Sequence, residues 1–165
     1  AESAGVLLVD AAVAPRRATT SASRGHVFRI APSEPTRRAA LASAAGPGEL
    51  VLWHPSLGRF GAAQLNARHR ARFDQAMDSQ SWAGWMSVKV VWESASRLET
   101  PNGDAFAAWL GSPRARFDGH KGRALFFDEE SHELRQPLYI VRAGPDGEAA
   151  IEELSFDPSA RSAGR

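Results

Sequence analysis

The chain has 165 residues, of which 43% are apolar and 24% are charged, with a formal net charge of +1. These values are typical of a globular domain and exclude the low apolar content of intrinsic disorder. The absence of cysteine excludes disulfides, thiol nucleophiles and cysteine-based zinc sites. The length favours one domain over residues 1–165, in the size range where a sizeable core can be buried.

Arginine dominates the basic residues, because only Lys89 and Lys121 among the 20 are lysines. With abundant alanine, glycine and proline, this bias indicates a GC-rich genome and a bacterial or phage origin. Residues 1–82 carry 10 basic against 6 acidic residues, and residues 83–165 carry 10 against 13. We therefore expect a surface of two signs, suited to self-association or a protein partner.

No apolar run approaches the length of a membrane span, and the longest covers residues 105–110. The chain begins at Ala1 rather than methionine, which indicates trimming by a signal peptidase or by a choice of boundaries. A cytoplasmic location is favoured, and a secreted or periplasmic origin stays open.

Apolar runs between glycine and proline signals predict an α+β fold. Strands are expected over residues 5–14, 26–31, 49–54, 86–93, 123–128, 138–143 and 149–156, and helices from 33 to 45, 61 to 79 and 105 to 110. The strand at 86–93 follows from its alternation of apolar side chains. The sheet is expected to be largely antiparallel, to end in a C-terminal three-strand meander, and to be covered by two main helices. Residues 16–25 are predicted to form a mobile loop and residues 158–165 a flexible tail.

A first candidate group for chemistry combines His120, Asp128, Glu129 and His132. Imidazole and carboxylate together suit a hydrolytic metal or general acid–base catalysis. A solvated, acid-rich turn is the alternative explanation. The spacing matches no established ligand pattern, so neither a metal nor a cofactor is assigned.

A second candidate group is basic and consists of Arg59, Arg68 and Arg72. On a helix, Arg68 and Arg72 lie one turn apart and can together bind a phosphate, which suggests contacts to nucleic acid without base recognition. A solvated helix face would show the same pattern.

A third candidate is aromatic. Trp82 and Trp85 flank Ala83 and Gly84 in a predicted connection between a helix and a strand. Tryptophan in such a connection either closes the edge of the core or forms a binding surface.

The sequence lacks a phosphate-binding glycine loop, a nucleophile elbow and a zinc-protease helix. We therefore favour a non-enzymatic protein–protein interaction or assembly module. The alternatives are a metal-dependent hydrolase or nuclease using the segment from His120 to His132, and a nucleic-acid-binding domain using the Arg68/Arg72 helix. Whether the protein is an enzyme stays open.

Overall fold

Helices and strands are interleaved along the chain in the computed structural model, which describes residues 6–13, 26–144 and 148–154. In chain order the elements are β1 (Leu8–Asp10), β2 (Val27–Arg29), α1 (Glu34–Ser43), β3 (Glu49–Val51), α2 (Ala62–Phe73), α3 (Ser79–Ala95), α4 (Gly103–Leu110), β4 (Phe117–Asp118), β5 (Ala124–Phe127), β6 (Leu134–Arg135), β7 (Leu138–Ala143) and β8 (Ala149–Leu154). The predicted mobile loop and flexible tail lie outside the described residues.

The strands form three small sheets within the described ranges. One contains β1 and β2, which pair in parallel. The others have the orders β3-β7-β8 and β4-β5-β6, and both are antiparallel. The prediction of a mixed α/β structure with mainly antiparallel sheets is therefore confirmed.

The buried core draws on every sheet and on all four helices. Its largest fully buried apolar side chains are Trp53, Trp82, Phe28, Ile30, Leu52, Met77, Met86, Leu110, Leu125 and Ile140. The two tryptophans stack on each other with ring centroids 6.0 Å apart and nearly parallel planes. Burial of these side chains stabilises the fold. Each aliphatic side chain among them contributes about 1.5–3 kcal/mol.

The predicted strand over residues 86–93 is wrong, because these residues form the middle of α3. Asp78 caps this helix, with its Oδ1 accepting a hydrogen bond from the Ser81 amide at 2.7 Å. Met86 and Val90 are buried, whereas Val88 and Trp92 are 69% and 71% exposed. This spacing of four residues is that of a helix face and not of a strand.

The predicted C-terminal meander is also wrong. The expected strand over residues 123–128 is β5, which pairs with β4 and β6 rather than with β7. The hairpin of β7 and β8 does form, and β3 pairs on the other side of β7. The predicted long helix over residues 61–79 ends early, because Asp74 adopts a left-handed conformation after α2. The described ranges contain four helices rather than two main ones. The assignment of the chain to a single domain stays a prediction.

Candidate functional site

The strands β1 and β2 end side by side, because they pair in parallel with Asp10 opposite Arg29. The Ile30 amide donates to the Asp10 carbonyl at 2.9 Å and extends this pairing beyond β2. We call the two segments at this end, residues 10–13 and 30–33, the carboxyl edge. In sheets with parallel strands, ligands bind outside the carboxyl ends of the strands. The carboxyl edge is therefore the candidate functional site.

Gln80 in the first turn of α3 fixes the backbone that follows β1. Its Nε2 donates to the Ala11 carbonyl at 3.0 Å, and its Oε1 accepts from the Val13 amide at 3.2 Å. Within the same segment, the Oδ1 of Asp10 accepts from the Ala12 amide at 2.9 Å. These bonds satisfy backbone groups that have left the sheet, and they connect residues 11–13 to α3.

Ser79, which precedes Gln80, binds the backbone that follows β3. Its Oγ accepts from the Leu52 amide at 3.0 Å and lies 3.3 Å from the Trp53 amide. The first turn of α3 thus joins the backbone after β1 to the backbone after β3.

Ser33 lies where β2 gives way to α1. It is the N-cap residue, but its side chain makes no capping bond to the helix backbone. Its Oγ lies 3.2 Å from the Oγ1 of Thr36, which donates to the Oε2 of the buried Glu133 at 2.8 Å. Because Thr36 uses its proton for Glu133, Ser33 is the donor of the hydroxyl pair. The half-buried Ser33 oxygen retains lone pairs for a ligand donor.

Gln136 supports the carboxyl edge from inside the protein. Its Nε2 donates to the Ile30 carbonyl at 2.5 Å, and its Oε1 accepts from the Nζ of Lys121 at 2.7 Å. A half-buried side chain thereby contacts the peptide that joins Ile30 to Ala31.

The two histidines of the predicted catalytic group lie in different surroundings. The ring of His120 stacks on Trp85 with centroids 5.5 Å apart, and its Nδ1 lies 3.1 Å from the Phe60 carbonyl oxygen. The ring of His132 stacks on Phe28 with centroids 4.4 Å apart. Within the described part of the chain, the structure records no contact between the two histidines.

The predicted catalytic carboxylates are not directed at either histidine ring. The Oδ2 of Asp128 accepts from the Nη2 of Arg135 at 2.7 Å, and its Oδ1 accepts from the Ser131 hydroxyl at the same distance. Burial raises the pKa of Asp128, but these hydrogen bonds outweigh burial and lower the pKa to about 2. Glu129 is exposed. In residues 6–13, 26–144 and 148–154, no three histidine or acidic side chains are grouped to hold a metal ion.

The three predicted binding arginines are exposed on α2 and the loop before it. Arg68 and Arg72 lie one turn apart in α2, and the guanidinium of Arg59 lies 5.2 Å from the Phe60 ring centroid. That they bind a ligand stays a prediction.

The predicted aromatic surface is divided between core and border. Trp82 and Trp85 lie in α3 and not in a connection. Trp82 is fully buried, and its Nε1 donates to the Gly119 carbonyl at 3.2 Å. Trp85 is half-buried, and its ring stacks on that of His120. That the two tryptophans bind a ligand or partner stays a prediction.

Comparison of the fold with solved structures shows a likeness to solute-binding proteins of ABC transporters. The solute-binding protein from Rhodopseudomonas palustris BisB5, solved with 3,4-dihydroxybenzoic acid, matches 82% of this chain with a TM-score of 0.50 and 18% identity. The leucine-, isoleucine-, valine-, threonine- and alanine-binding protein from Brucella ovis matches 80% with a TM-score of 0.51 and 12% identity. The amino acid ABC transporter substrate-binding protein from Pseudomonas fluorescens Pf-5 matches 82% with a TM-score of 0.53 and 12% identity.

This likeness is one of fold, and it is partial in length. The matched part covers 39%, 44% and 39% of those three chains, so this chain spans less than half of each. No protein-family model matches the chain, and no curated protein matches it.

The shared fold contradicts the functions that the sequence suggested. An assembly module acting through a protein partner or self-association, a metal-dependent hydrolase or nuclease, and a nucleic-acid-binding domain are all wrong, because the neighbours in fold are proteins that bind small solutes. The preference for a cytoplasmic location has no support in this fold, which is compatible with the secreted or periplasmic alternative. Among the described helices, none has the length and apolar character needed to cross a membrane.

The side chains that hold the carboxyl edge have weak or conflicting signals in the sequence. Ser79 and Gln80 follow Asp78, a residue type that favours N-caps, and this signal was masked by the continuous helix expected from residue 61 onward. Gln136 has no local signal, because its partner Ile30 lies 106 positions away.

Proposed function

We propose that this chain is part of the substrate-binding protein of an ABC transporter, and that its carboxyl edge forms one wall of a site for a small organic molecule. The observation that carries this proposal is the fold shared with three solute-binding proteins at TM-scores of 0.50 to 0.53. The parallel ends of β1 and β2 supply the place where a ligand meets such a sheet.

The proposed ligand class is a small carboxylic acid, either an amino acid or an aromatic acid. The names of two neighbours in fold identify such ligands, 3,4-dihydroxybenzoic acid and a set of amino acids. At the carboxyl edge, the Ser33 oxygen can accept a hydrogen bond from the ammonium group or a hydroxyl group of such a ligand. In the first turn of α1, Pro35 has no N–H, and the backbone amides of Glu34 and Thr36 are the donors that could face a carboxylate.

The partner implied by this proposal is the membrane-bound part of an ABC transporter. A periplasmic or secreted location follows for the whole protein, since a substrate-binding protein collects its solute before transport.

The proposal is tested by calorimetry and thermal unfolding with a panel of leucine, valine, alanine, benzoate and 3,4-dihydroxybenzoate. A ligand that binds only the folded state raises the free energy of unfolding by about 2.7 kcal/mol at one hundred times its Kd. We expect at least one compound to raise the melting temperature in a saturable manner.

The site is tested with Ser33→Ala, which should weaken binding of the best compound about two- to tenfold through loss of one hydrogen bond. Ser43→Ala is the matched control, because Ser43 is an exposed serine at the last residue of α1, about 15 Å along the helix from Ser33. A panel without any saturable shift would contradict the function, whereas equal affinity of Ser33→Ala and Ser43→Ala would contradict only the proposed site.

A further inference from the structure

Lys121 is buried, and among the described residues no carboxylate contacts its ammonium. It is 2% exposed, and its Nζ donates to the Oε1 of Gln136 at 2.7 Å and to the Pro137 carbonyl at 3.0 Å. The Nζ also lies 3.9 Å from the ring centroid of Trp82 and 5.4 Å from that of Tyr139. Two neutral oxygens and two aromatic faces therefore surround the charge.

Two hydrogen bonds lead from this ammonium to the Ile30 carbonyl at the carboxyl edge. Gln136 accepts from Lys121 with its Oε1 and donates to the Ile30 carbonyl with its Nε2 at 2.5 Å. The amide of the same residue, in the preceding peptide group, donates to the Asp10 carbonyl at 2.9 Å. Ile30 therefore connects Gln136 with both segments of the carboxyl edge.

We propose that Lys121 is a positioning residue for the ligand wall, and that its positive charge, acting through Gln136, holds the Ile30 peptide in the geometry that binds ligand. This inference rests on the proposed function of the carboxyl edge. Lys121 itself does not touch the ligand.

The charge matters because hydrogen bonds along a chain polarise one another. A charged ammonium draws electron density from Gln136 through Oε1, which makes the Nε2 group a stronger donor to Ile30. Loss of the proton leaves a weaker donor at Lys121 and a weaker bond at Ile30. Burial lowers the pKa of Lys121 well below its ordinary value, so this change takes place at a lower pH than for a lysine side chain in water.

Among the described residues, several titratable or charged groups lie near Lys121 in the structure or the sequence. Burial raises the pKa of Tyr139 on β7 to about 12. Glu153 on β8 favours the charged form of Lys121 and is paired with Arg123 at 3.3 Å. His120 is adjacent in the chain, but its Nδ1 faces the Phe60 carbonyl. From α3 only the Trp82 ring faces the ammonium.

The first experiment follows the titration of Lys121 by NMR. The sequence contains two lysines, so protein labelled with ¹³C-lysine gives two Cε signals, which Lys89→Arg assigns. We expect the Lys121 signal to titrate well below the ordinary range of a lysine side chain. The Ile30 carbonyl carbon and the Gln136 side-chain amide should shift with the same midpoint. The affinity for the best compound of the panel should fall about three- to tenfold above that midpoint.

The second experiment uses Gln136→Glu, which keeps an oxygen for Lys121 and removes the donor to Ile30. The new carboxylate should raise the pKa of Lys121 and pair with it, while the Ile30 amide exchanges faster and the compound binds more weakly at every pH. Gln64→Glu on the exposed face of α2 is the matched control and should bind as the wild type does.

The proposal is overturned if the Ile30 and Gln136 signals stay constant while Lys121 titrates, or if Gln136→Glu retains wild-type affinity. A panel without any binding compound contradicts the proposed function alone. In that case the Ile30 carbonyl signal and the Ile30 exchange rate still decide whether Lys121 positions the carboxyl edge.

Discussion

At the scale of single residues, Asp128 stabilises the turn between β5 and β6 through its charge. Its carboxylate accepts hydrogen bonds from Arg135 and Ser131, and its pKa is about 2 against an ordinary value of 3.8. A lowered folded-state pKa means that the stabilisation is complete above the ordinary value and is lost as the pH falls through the folded-state value. The relevant window therefore runs from about pH 4 down to about pH 2.

We accordingly expect Asp128→Asn to reduce the free energy of unfolding by about 1 kcal/mol at neutral pH, allowing for solvent screening of a partly exposed group. The difference from the wild type should shrink across the acid window. Urea unfolding at about pH 7 and about pH 2 measures both values. Glu130→Gln, at an exposed neighbour, should show no such difference. If the difference in the free energy of unfolding between Asp128→Asn and the wild type stays constant with pH, the charge of Asp128 is not the cause of the stabilisation.

Gly122 occupies a position where the backbone conformation favours glycine. Its φ is +75°, and a Cβ added there would lie 2.5 Å from a ring carbon of Phe60. Gly122→Ala should cost about 1–2 kcal/mol from the left-handed backbone alone, with little more from Phe60 because that exposed ring can turn away. Gly58→Ala, with nothing within 4 Å, should be neutral or slightly stabilising. Thermal unfolding of the two variants makes the comparison, and equal losses would refute it.

At the scale of elements, α3 offers a direct test of helix against strand. A strand would place Met86 and Trp92 on one face, whereas the helix buries Met86 and leaves Trp92 71% exposed. We expect Met86→Ala to cost about 2–5 kcal/mol and Trp92→Ala less than about 0.5 kcal/mol. Chemical denaturation measures both changes. Similar large losses at the two positions would contradict the helical face.

The elements that sequence analysis predicted well are those with local signals at both ends. The strand at 138–143 is found with the same bounds, and the short helix before Gly111 begins with a cap from Asn102. In α3 the local signals conflict. Apolar side chains at every even position fit a strand. The same pattern includes two apolar residues four positions apart, Met86 and Val90, which the helix buries. Only packing against the core decides between these two periods.

At the scale of the whole molecule, strand order determines which part of the fold opens first. β7 has partners on both sides, and its Ile140 is completely buried. The pair β1 and β2 has two strands, and Leu8 is 51% exposed. We expect the paired amides of β7 to exchange with deuterium only on global unfolding, and those of β1 to exchange faster by local opening. Hydrogen-exchange mass spectrometry checks this order, and faster exchange in β7 than in β1 would contradict it.

The candidate site could be predicted from sequence only in part. Ser33 was expected at a helix start, and it lies there. Gln80 contacts Ala11, which lies 69 positions earlier in the sequence. Gln136 contacts Ile30, which lies 106 positions earlier. Such contacts follow from the global arrangement of strands and helices, and no periodicity or turn signal in one sequence encodes them.

The stacked tryptophan pair also gives the protein an internal optical probe. Trp53 and Trp82 are nearly parallel, and the Lys121 ammonium lies against the Trp82 ring. Two indoles held in this manner couple electronically, so near-ultraviolet circular dichroism reports their mutual orientation. A cation that gains or loses its proton above one of them changes the local electric field and shifts its absorption and emission. The ionisation of Lys121 can therefore be followed by tryptophan absorption, emission and circular dichroism, without a label and without altering any side chain.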